Sequence, residues 1–217
     1  MEDIRELERE AVIHRMNPHF LFNTLGAVRI AVRTDPDMAY DRIYDFSRYL
    51  RAVIRSLENQ ENVLFREEAA DVLSYINLEK LRFGDKVKVR MELQEKDFLI
   101  PPLSVLPLVD NAFRHGLQKG ERKGTVTVRS YRMPYEYIVQ VEDDGTGFET
   151  ATYDACTDND GEVTGGLSNV RYRMEKMVNG DMDILSYTGV GTVVTLHIPV
   201  MAERCGGCHE NKNNCSR

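Results

Sequence analysis

The seam of alternating apolar steps in this chain stops near residue 60, and that stop divides it into parts of different architecture. Before it, Ala39, Ile43, Phe46, Leu50, Val53 and Leu57 follow alternating steps of four and three, the seam of packed helices. Asp41, Arg42, Asp45, Arg48, Arg51 and Arg55 take the other faces. The seam stops at Asn59-Gln-Glu-Asn62, and beyond it Val87-Lys-Val-Arg-Met alternates as a strand does. A boundary therefore falls near residue 61.

Upstream of the seam, Leu21, Leu25, Val28 and Val32 recur at helical spacing and predict a first apolar stripe. Thr34-Asp-Pro-Asp37 breaks that helix, and Pro36 with an aspartate just before it starts the next. Two helices joined so closely pack antiparallel and make only half a core. The expectation is that two copies dimerise into a four-helix bundle. Residues 2–16, with Ile4, Leu7 and Ala11 on one narrow stripe, suggest a helix running in from upstream. Pro18 either opens the helix after an Asn17 cap or interrupts it, at a cost of about 3 kcal/mol. In both cases His19, Asn23 and Gly26 fall roughly opposite the stripe, so the imidazole faces outward.

The second part reads as a mixed sheet with helices. A helix over residues 66–82 stops at Phe83-Gly84, and residues 103–117 are helical. Residues 125–131, 137–141, 181–187 and 192–198 read as strands, with Val194, Leu196 and Ile198 on one face. No internal repeat is found.

At 217 residues, 42% apolar and 29% charged, the chain is long enough to bury a core. Its formal charge of -7, without clustered Lys and Arg, argues against a nucleic-acid surface. The longest apolar run, residues 98–109, contains three prolines and is too short to cross a bilayer, and no signal-peptide pattern leads it. The expectation is a cytoplasmic chain, with any membrane sensor segment outside it. Cys156, Cys205, Cys208 and Cys215 do not make a disulfide framework.

Four segments of the second part carry chemistry. In Leu108-Val-Asp-Asn-Ala-Phe-Arg-His-Gly116, the spacings of Asn111, Arg114 and His115 predict one shared helical face. An amide oxygen from Asn111 suits Mg²⁺, and Arg114 and His115 suit phosphate. In Val141-Glu-Asp-Asp-Gly-Thr-Gly-Phe148, a carboxylate ends a strand where it can accept from an exocyclic amine, and glycines let backbone approach a flat base. In Thr164-Gly-Gly-Leu-Ser-Asn-Val-Arg171, glycines open a helix whose free N–H groups favour phosphate. In Gly189-Val-Gly-Thr192, a hydroxyl is offered near the base.

Asn111, the Asp143-Asp-Gly-Thr-Gly147 run, the Gly165-Gly166-Leu-Ser-Asn169 run and Gly191-Thr192 resemble, in order and spacing, the ATP-binding domain shared by histidine kinases, gyrase, Hsp90 and MutL. Asn17-Pro-His-Phe-Leu-Phe-Asn23, the Tyr75 stretch ending in Glu-x-x-Arg-Phe83, and Ile100-Pro-Pro-Leu narrow the resemblance to the LytS/YehU-type sensor histidine kinases. It runs from about residue 13 to 200.

The resemblance implies an α+β chain: residues 1–61 a dimerising hairpin with the phosphoacceptor, residues 62–200 an α/β sandwich ATP-binding domain of the Bergerat type, and residues 201–217 a polar tail. It implies autophosphorylation of His19 from Mg-ATP, with Asn23 and Arg15 beside it, and transfer to a response regulator. Asn111 would hold Mg²⁺. Asp143 would bind the adenine amine. Arg114, His115, Gly145, Gly147, Gly165, Gly166, Leu167 and Thr192 would frame the nucleotide, and the polar stretch between Phe148 and Thr164 would be a lid. Two positions depart from the family pattern. Arg15 stands where most members carry glutamine, and Thr164 where a glycine is usual. An ATP-binding scaffold without kinase activity and a conformational ATPase are the competing readings.

The tail, with Cys205, Cys208, His209 and Cys215, admits disorder, metal or redox sensing, or haem attachment. His14, His197 and Cys156 show no partner pattern.

Overall fold

The computed structural model describes residues 18–58, 61–117, 124–149 and 167–200. Helix α1 spans Pro18–Thr34 and α2 spans Pro36–Glu58. A single residue, Asp35, separates them, and its carboxylate accepts the Met38 N–H at 3.0 Å as an N-cap. The chain then doubles back, bringing the ring of Tyr49 to 5.0 Å from that of Phe20.

Strand β1 (Val63–Leu64) pairs antiparallel with β3 (Leu99–Ile100), clamping the start of helix α3 (Phe65–Phe83). Helix α3 ends at Gly84, whose φ of 57° suits glycine and whose N–H reaches back to the Lys80 carbonyl. Strand β2 (Val87–Leu93), helix α4 (Leu106–Asn111), strands β4 (Gly124–Arg132) and β5 (Glu136–Asp143), helix α5 (Leu167–Val178), and strands β6 (Asp181–Tyr187) and β7 (Gly191–Pro199) follow. One five-stranded sheet runs β2-β4-β5-β7-β6. The β2–β4 pair is parallel and the others antiparallel, the mixed sheet the alternation predicts.

One face of that sheet meets the helices. Val126, Val128, Val139, Val141, Val194, Leu196 and Ile198 are buried there, together with Leu108 and Val109 of α4 and Val170 and Met174 of α5. Alternate positions carry cross-strand ion pairs. Arg129 pairs with Glu92 at 2.8 Å and with Glu142, and His197 lies 3.0 Å from Glu136 and 3.2 Å from Asp183. His197 thus has carboxylate partners that its sequence neighbourhood does not reveal, because they come from adjacent strands.

The hairpin departs from the expected packing. Phe20, Thr24, Val28 and Ala31 form the buried face of α1, whereas Leu25 and Val32 are each 51% exposed. On α2, Ala39 and Val53 are buried as the seam predicts, but Tyr49 and Ala52 are buried beside them and Ile43 is 54% exposed. The reason is helix α3, which supplies a surface that the seam argument did not count. Tyr75 of α3 joins Phe20 and Tyr49, with ring centroids 5.1 Å and 5.9 Å away. Asp71 of α3, buried, accepts hydrogen bonds from Arg48 Nε at 2.8 Å and Arg55 Nη2 at 2.6 Å of α2. The hairpin therefore docks on the sheet-bearing part of its own chain. No described helix is long and apolar enough to cross a membrane.

Candidate nucleotide site and outward histidine

The route to the site begins with Glu68 of α3. Its carboxylate, 2% exposed, accepts the N–H groups of Leu103 and Val105 at 3.0 Å and of Leu106 at 3.4 Å. Burial raises its pKa from the ordinary carboxylate value, against the pull of those N–H groups. Leu103 takes a φ of 54°, costly for a branched side chain, and its carbonyl accepts from Arg173 Nη2 of α5 at 2.5 Å. Glu68 and Arg173 together fix the entry to α4 from both sides, and α4 ends on Asn111.

Asn111 is half-exposed, and its side-chain amide takes no hydrogen-bond partner among the described residues. From Ala112 to Leu117 the helix widens to a π turn. Arg114, in this wider turn, pairs with Asp110 four residues before it, Nε to Oδ1 at 3.0 Å. The π turn that follows Asn111 packs on β4, β5 and β7.

Asp143 ends β5 opposite Thr192 in the β7 register. It is 8% exposed and its Oδ1 accepts the Gly145 N–H at 3.0 Å. Burial is the main cause of its pKa rising to about 6, with the neighbouring Asp144 adding to it. A raised carboxyl is held as the acid more tightly in the folded than in the unfolded chain. The stabilisation it brings is full below about pH 4 and lost as pH rises through about 6.

The turn after Asp143 packs against the β6–β7 hairpin so closely that two glycines are required. Gly147 has a φ of 57°, and a Cβ there would lie 2.1 Å from the Tyr187 carbonyl oxygen. Gly191 has a φ of 135°, and a Cβ there would lie 2.0 Å from the Asp143 carbonyl oxygen. Gly145 is half-buried in the same turn. Ser186 ties the pieces together. Its Oγ accepts the Phe148 N–H at 2.9 Å and lies 3.2 Å from the Gly191 carbonyl and 2.9 Å from Thr192 Oγ1. A hydroxyl has one proton, so with Ser186 donating to Gly191 the Thr192 hydroxyl donates to Ser186. Leu167, the first residue of α5, is buried at 7% exposure.

On the hairpin, His19 is exposed while the next residue, Phe20, is 1% exposed. The imidazole thus faces outward from an anchored helix, as expected. Asn23 Nδ2 lies one turn on, 3.0 Å from Nε2 and 3.2 Å from Nδ1 of the ring.

Asp143, Gly145, Gly147 and Thr192 lie together where β5 pairs with β7, Asn111 precedes the π turn that packs on β4, β5 and β7, Leu167 opens α5, and His19 and Asn23 lie together on α1. Arg15, Gly165, Gly166 and Thr164, the lid stretch and the cysteine tail lie outside the described residues, as does the His115 side chain. Sequence reasoning missed Asp110, Glu68, Asp71 and Ser186. Asp110 had a signal, an acid beside an amide in an otherwise apolar helix. Glu68, Asp71 and Ser186 had none, since each is defined by partners distant in sequence. Among the described residues, no group of three or more His, Cys, Asp or Glu side chains is placed to hold a metal.

Two family profiles match the chain: "Histidine kinase" over residues 7–87, and "Histidine kinase-, DNA gyrase B-, and HSP90-like ATPase" over residues 104–202. It is 34% identical over 206 residues to the sensor histidine kinase YpdA of Escherichia coli (strain K12), covering 91% of this chain and 36% of that one. It is 30% identical over 201 residues to the putative uncharacterized protein YwpD of Bacillus subtilis (strain 168), covering 92% and 72%. The chain belongs to the sensor histidine kinase family. Within the family it is of the LytS/YehU type, being 23% identical over 203 residues to the sensor protein LytS of Staphylococcus saprophyticus, covering 90% of this chain and 34% of LytS. It spans about a third of the length of YpdA and LytS. Its fold is that of the histidine kinase domain from the Erythrobacter litoralis EL346 blue-light activated kinase, with TM-score 0.51, 22% identity, and coverage of 92% and 94%. Residues 104–202 match the ATP-binding domain of the family.

Proposed function

We propose that this chain is the kinase core of a two-component sensor, in which His19 takes the terminal phosphoryl group of ATP and passes it to an aspartate of a response regulator. The observation that carries the reading is an exposed imidazole on a helix whose other side is fixed to an ATP-binding domain. We read residues 1–61 as the phosphoacceptor part, 62–200 as the catalytic part and 201–217 as a tail.

The described side chains fit the nucleotide and its metal. Asp143, ionised above about pH 6, accepts from the exocyclic amine of adenine, and the turn at Gly145 and Gly147 brings backbone against the base. Thr192 and Ser186 hold that turn in place. Asn111 offers an uncommitted amide oxygen, the donor a hard cation takes when phosphate and water complete its shell. Mg²⁺ bound there supplies charge neutralisation on the phosphates. Arg114 serves the phosphates, and we assign His115, Gly165 and Gly166 to the same task and Arg15 to the transferred group from their positions in the family pattern alone.

In the transfer, an unprotonated ring nitrogen of His19 forms the N–P bond. The bond from the γ-phosphorus to the bridging oxygen breaks, ADP leaves, and the other ring nitrogen gives its proton to solvent. Asn23 holds the ring in orientation. Such a transfer asks the protein for positioning and charge neutralisation, which these groups supply.

We infer further that a second copy covers the rest of the hairpin. Phe22, Leu25, Tyr40, Ile43 and Tyr44 are between 51% and 76% exposed, and α3 covers only the face next to them. This apolar arc is wider than one partner buries. We place the chain in the cytoplasm.

Incubation with γ-labelled ATP and Mg²⁺ tests the reading. Acid-labile label on the wild-type chain, lost in His19→Gln, is expected. Nucleotide bound without label would point to a scaffold, and steady phosphate release without label to a conformational ATPase.

A further inference from the structure

Helix α3 carries the Tyr-x-x-x-Glu-x-x-Arg-Phe run that belongs to the family resemblance, yet the function proposed above gives it no task. Tyr75, at 1% exposure, has two ends with different neighbours. Its ring meets the hairpin, 5.1 Å from Phe20, the residue after His19, and 5.9 Å from Tyr49. It also meets Phe113 of the π turn edge-on at 6.1 Å. Its hydroxyl lies 2.5 Å from Asp110 Oδ1, next to Asn111, and 3.2 Å from Glu79 Oε1.

Hydrogen-bond counting assigns the single phenolic proton. Ionised carboxylates only accept, so Tyr75 donates along the shorter contact to Asp110. Glu79 is satisfied elsewhere, with both of its oxygens 3.0 Å from Arg82 Nη1. Asp110 in turn holds the Arg114 guanidinium. The ring cannot move within a close-packed interior without carrying its hydroxyl along. A shift of α1 across α3 therefore reaches the carboxylate beside Asn111 through one side chain.

We propose that Tyr75 is a positioning residue for phosphoryl transfer: its ring registers the seating of the His19 helix and its hydroxyl sets Asp110, and through it Arg114, beside the metal-holding Asn111. This rests on the reading of His19 as phosphoacceptor. The bland role for the same contacts is a core aromatic whose hydroxyl is merely satisfied. That role predicts lost stability and unchanged turnover.

The test uses the full chain and removes one oxygen, Tyr75→Phe, which keeps the ring. Autophosphorylation is measured against ATP concentration, with ATP affinity and thermal unfolding followed in parallel, below the lowered transition. Tyr75→Phe is expected to lower kcat tenfold or more while leaving KM and ATP affinity within about twofold. Phe20→Leu, which loosens the other end of the link, is expected to lower kcat as well. The double variant is expected to be no slower than the slower single one, because both break the same connection. Unchanged kcat in Tyr75→Phe overturns the proposal, and so do multiplicative losses in the double variant. If the wild-type chain takes no label, the phosphotransfer reading fails and this proposal with it. Label in the wild type with unaltered kcat in Tyr75→Phe overturns this proposal alone.

Discussion

The sheet and the hairpin are both apolar-patterned, but they differ in how many surfaces their pattern allows. A strand has two faces, so once Val194, Leu196 and Ile198 are seen to alternate with Thr195 and His197, the inward side is decided. A helix carries several overlapping stripes. In α1 the stripe Leu21, Leu25, Val28 and Val32 competes with Phe20, Thr24, Val28 and Ala31, and helix α3 chose the second. Tyr75 of α3, its ring 5.1 Å from that of Phe20, anchors the second stripe in place of the larger aliphatic side chains of the first.

Perturbing each region tests this difference. The largest effect is expected in the sheet: Leu196→Ala, at a side chain with 0% exposure, should cost about 3 kcal/mol of unfolding free energy, read by denaturant titration. A loss under about 1 kcal/mol would mean that the sheet face is not the core it looks to be. Next comes the dock of the hairpin on α3. Asp71→Asn leaves Arg48 without a carboxylate and Arg55 with only Glu67, at 4.0 Å, and should cost about 2 kcal/mol, the range of a hydrogen bond to a charged group. The cost should be seen as earlier amide exchange in α1 and α2 than in the sheet. Uniform exchange would show that the hairpin and sheet open as one unit. The smallest effect belongs to the arc left open. Leu25→Ser should change the stability of a single chain by less than about 0.5 kcal/mol, while raising the concentration at which copies associate in sedimentation. If dilution dissociates both forms alike, the arc is not the surface between copies.

The candidate site was legible to the extent that it is written in local runs. Asp143 with Gly145 and Gly147, Gly191 with Thr192, and Asn111 each announce themselves by a polar or flexible residue where an element ends. The structure brings the first two runs together, with Gly147 and Gly191 in close backbone contact across the turn. Two parts of the reading needed more than runs. The shared face of Asn111 and Arg114 leaves out Asp110, which pairs with Arg114 four residues on, where the segment from Ala112 to Leu117 winds as a π turn. Glu68, which holds the entry to α4, and Ser186, which holds the turn after Asp143, act on residues 35 or more positions away. A side chain's sequence neighbours say nothing about such partners.

Apart from the two-residue strands β1 and β3, the sequence by itself determined the succession of helices and strands, the inward face of β7, the break at Asp35 and the outward direction of His19. All of these follow from the backbone's own periodicity and from residues a few positions apart. Only the tertiary structure decided which stripe of each helix is buried, and that Tyr75 touches Phe20 at one end and Asp110 at the other. The physical reason is that burial is a property of pairs of surfaces. A helix with more apolar arc than one neighbour can cover leaves the choice of neighbour to the whole fold.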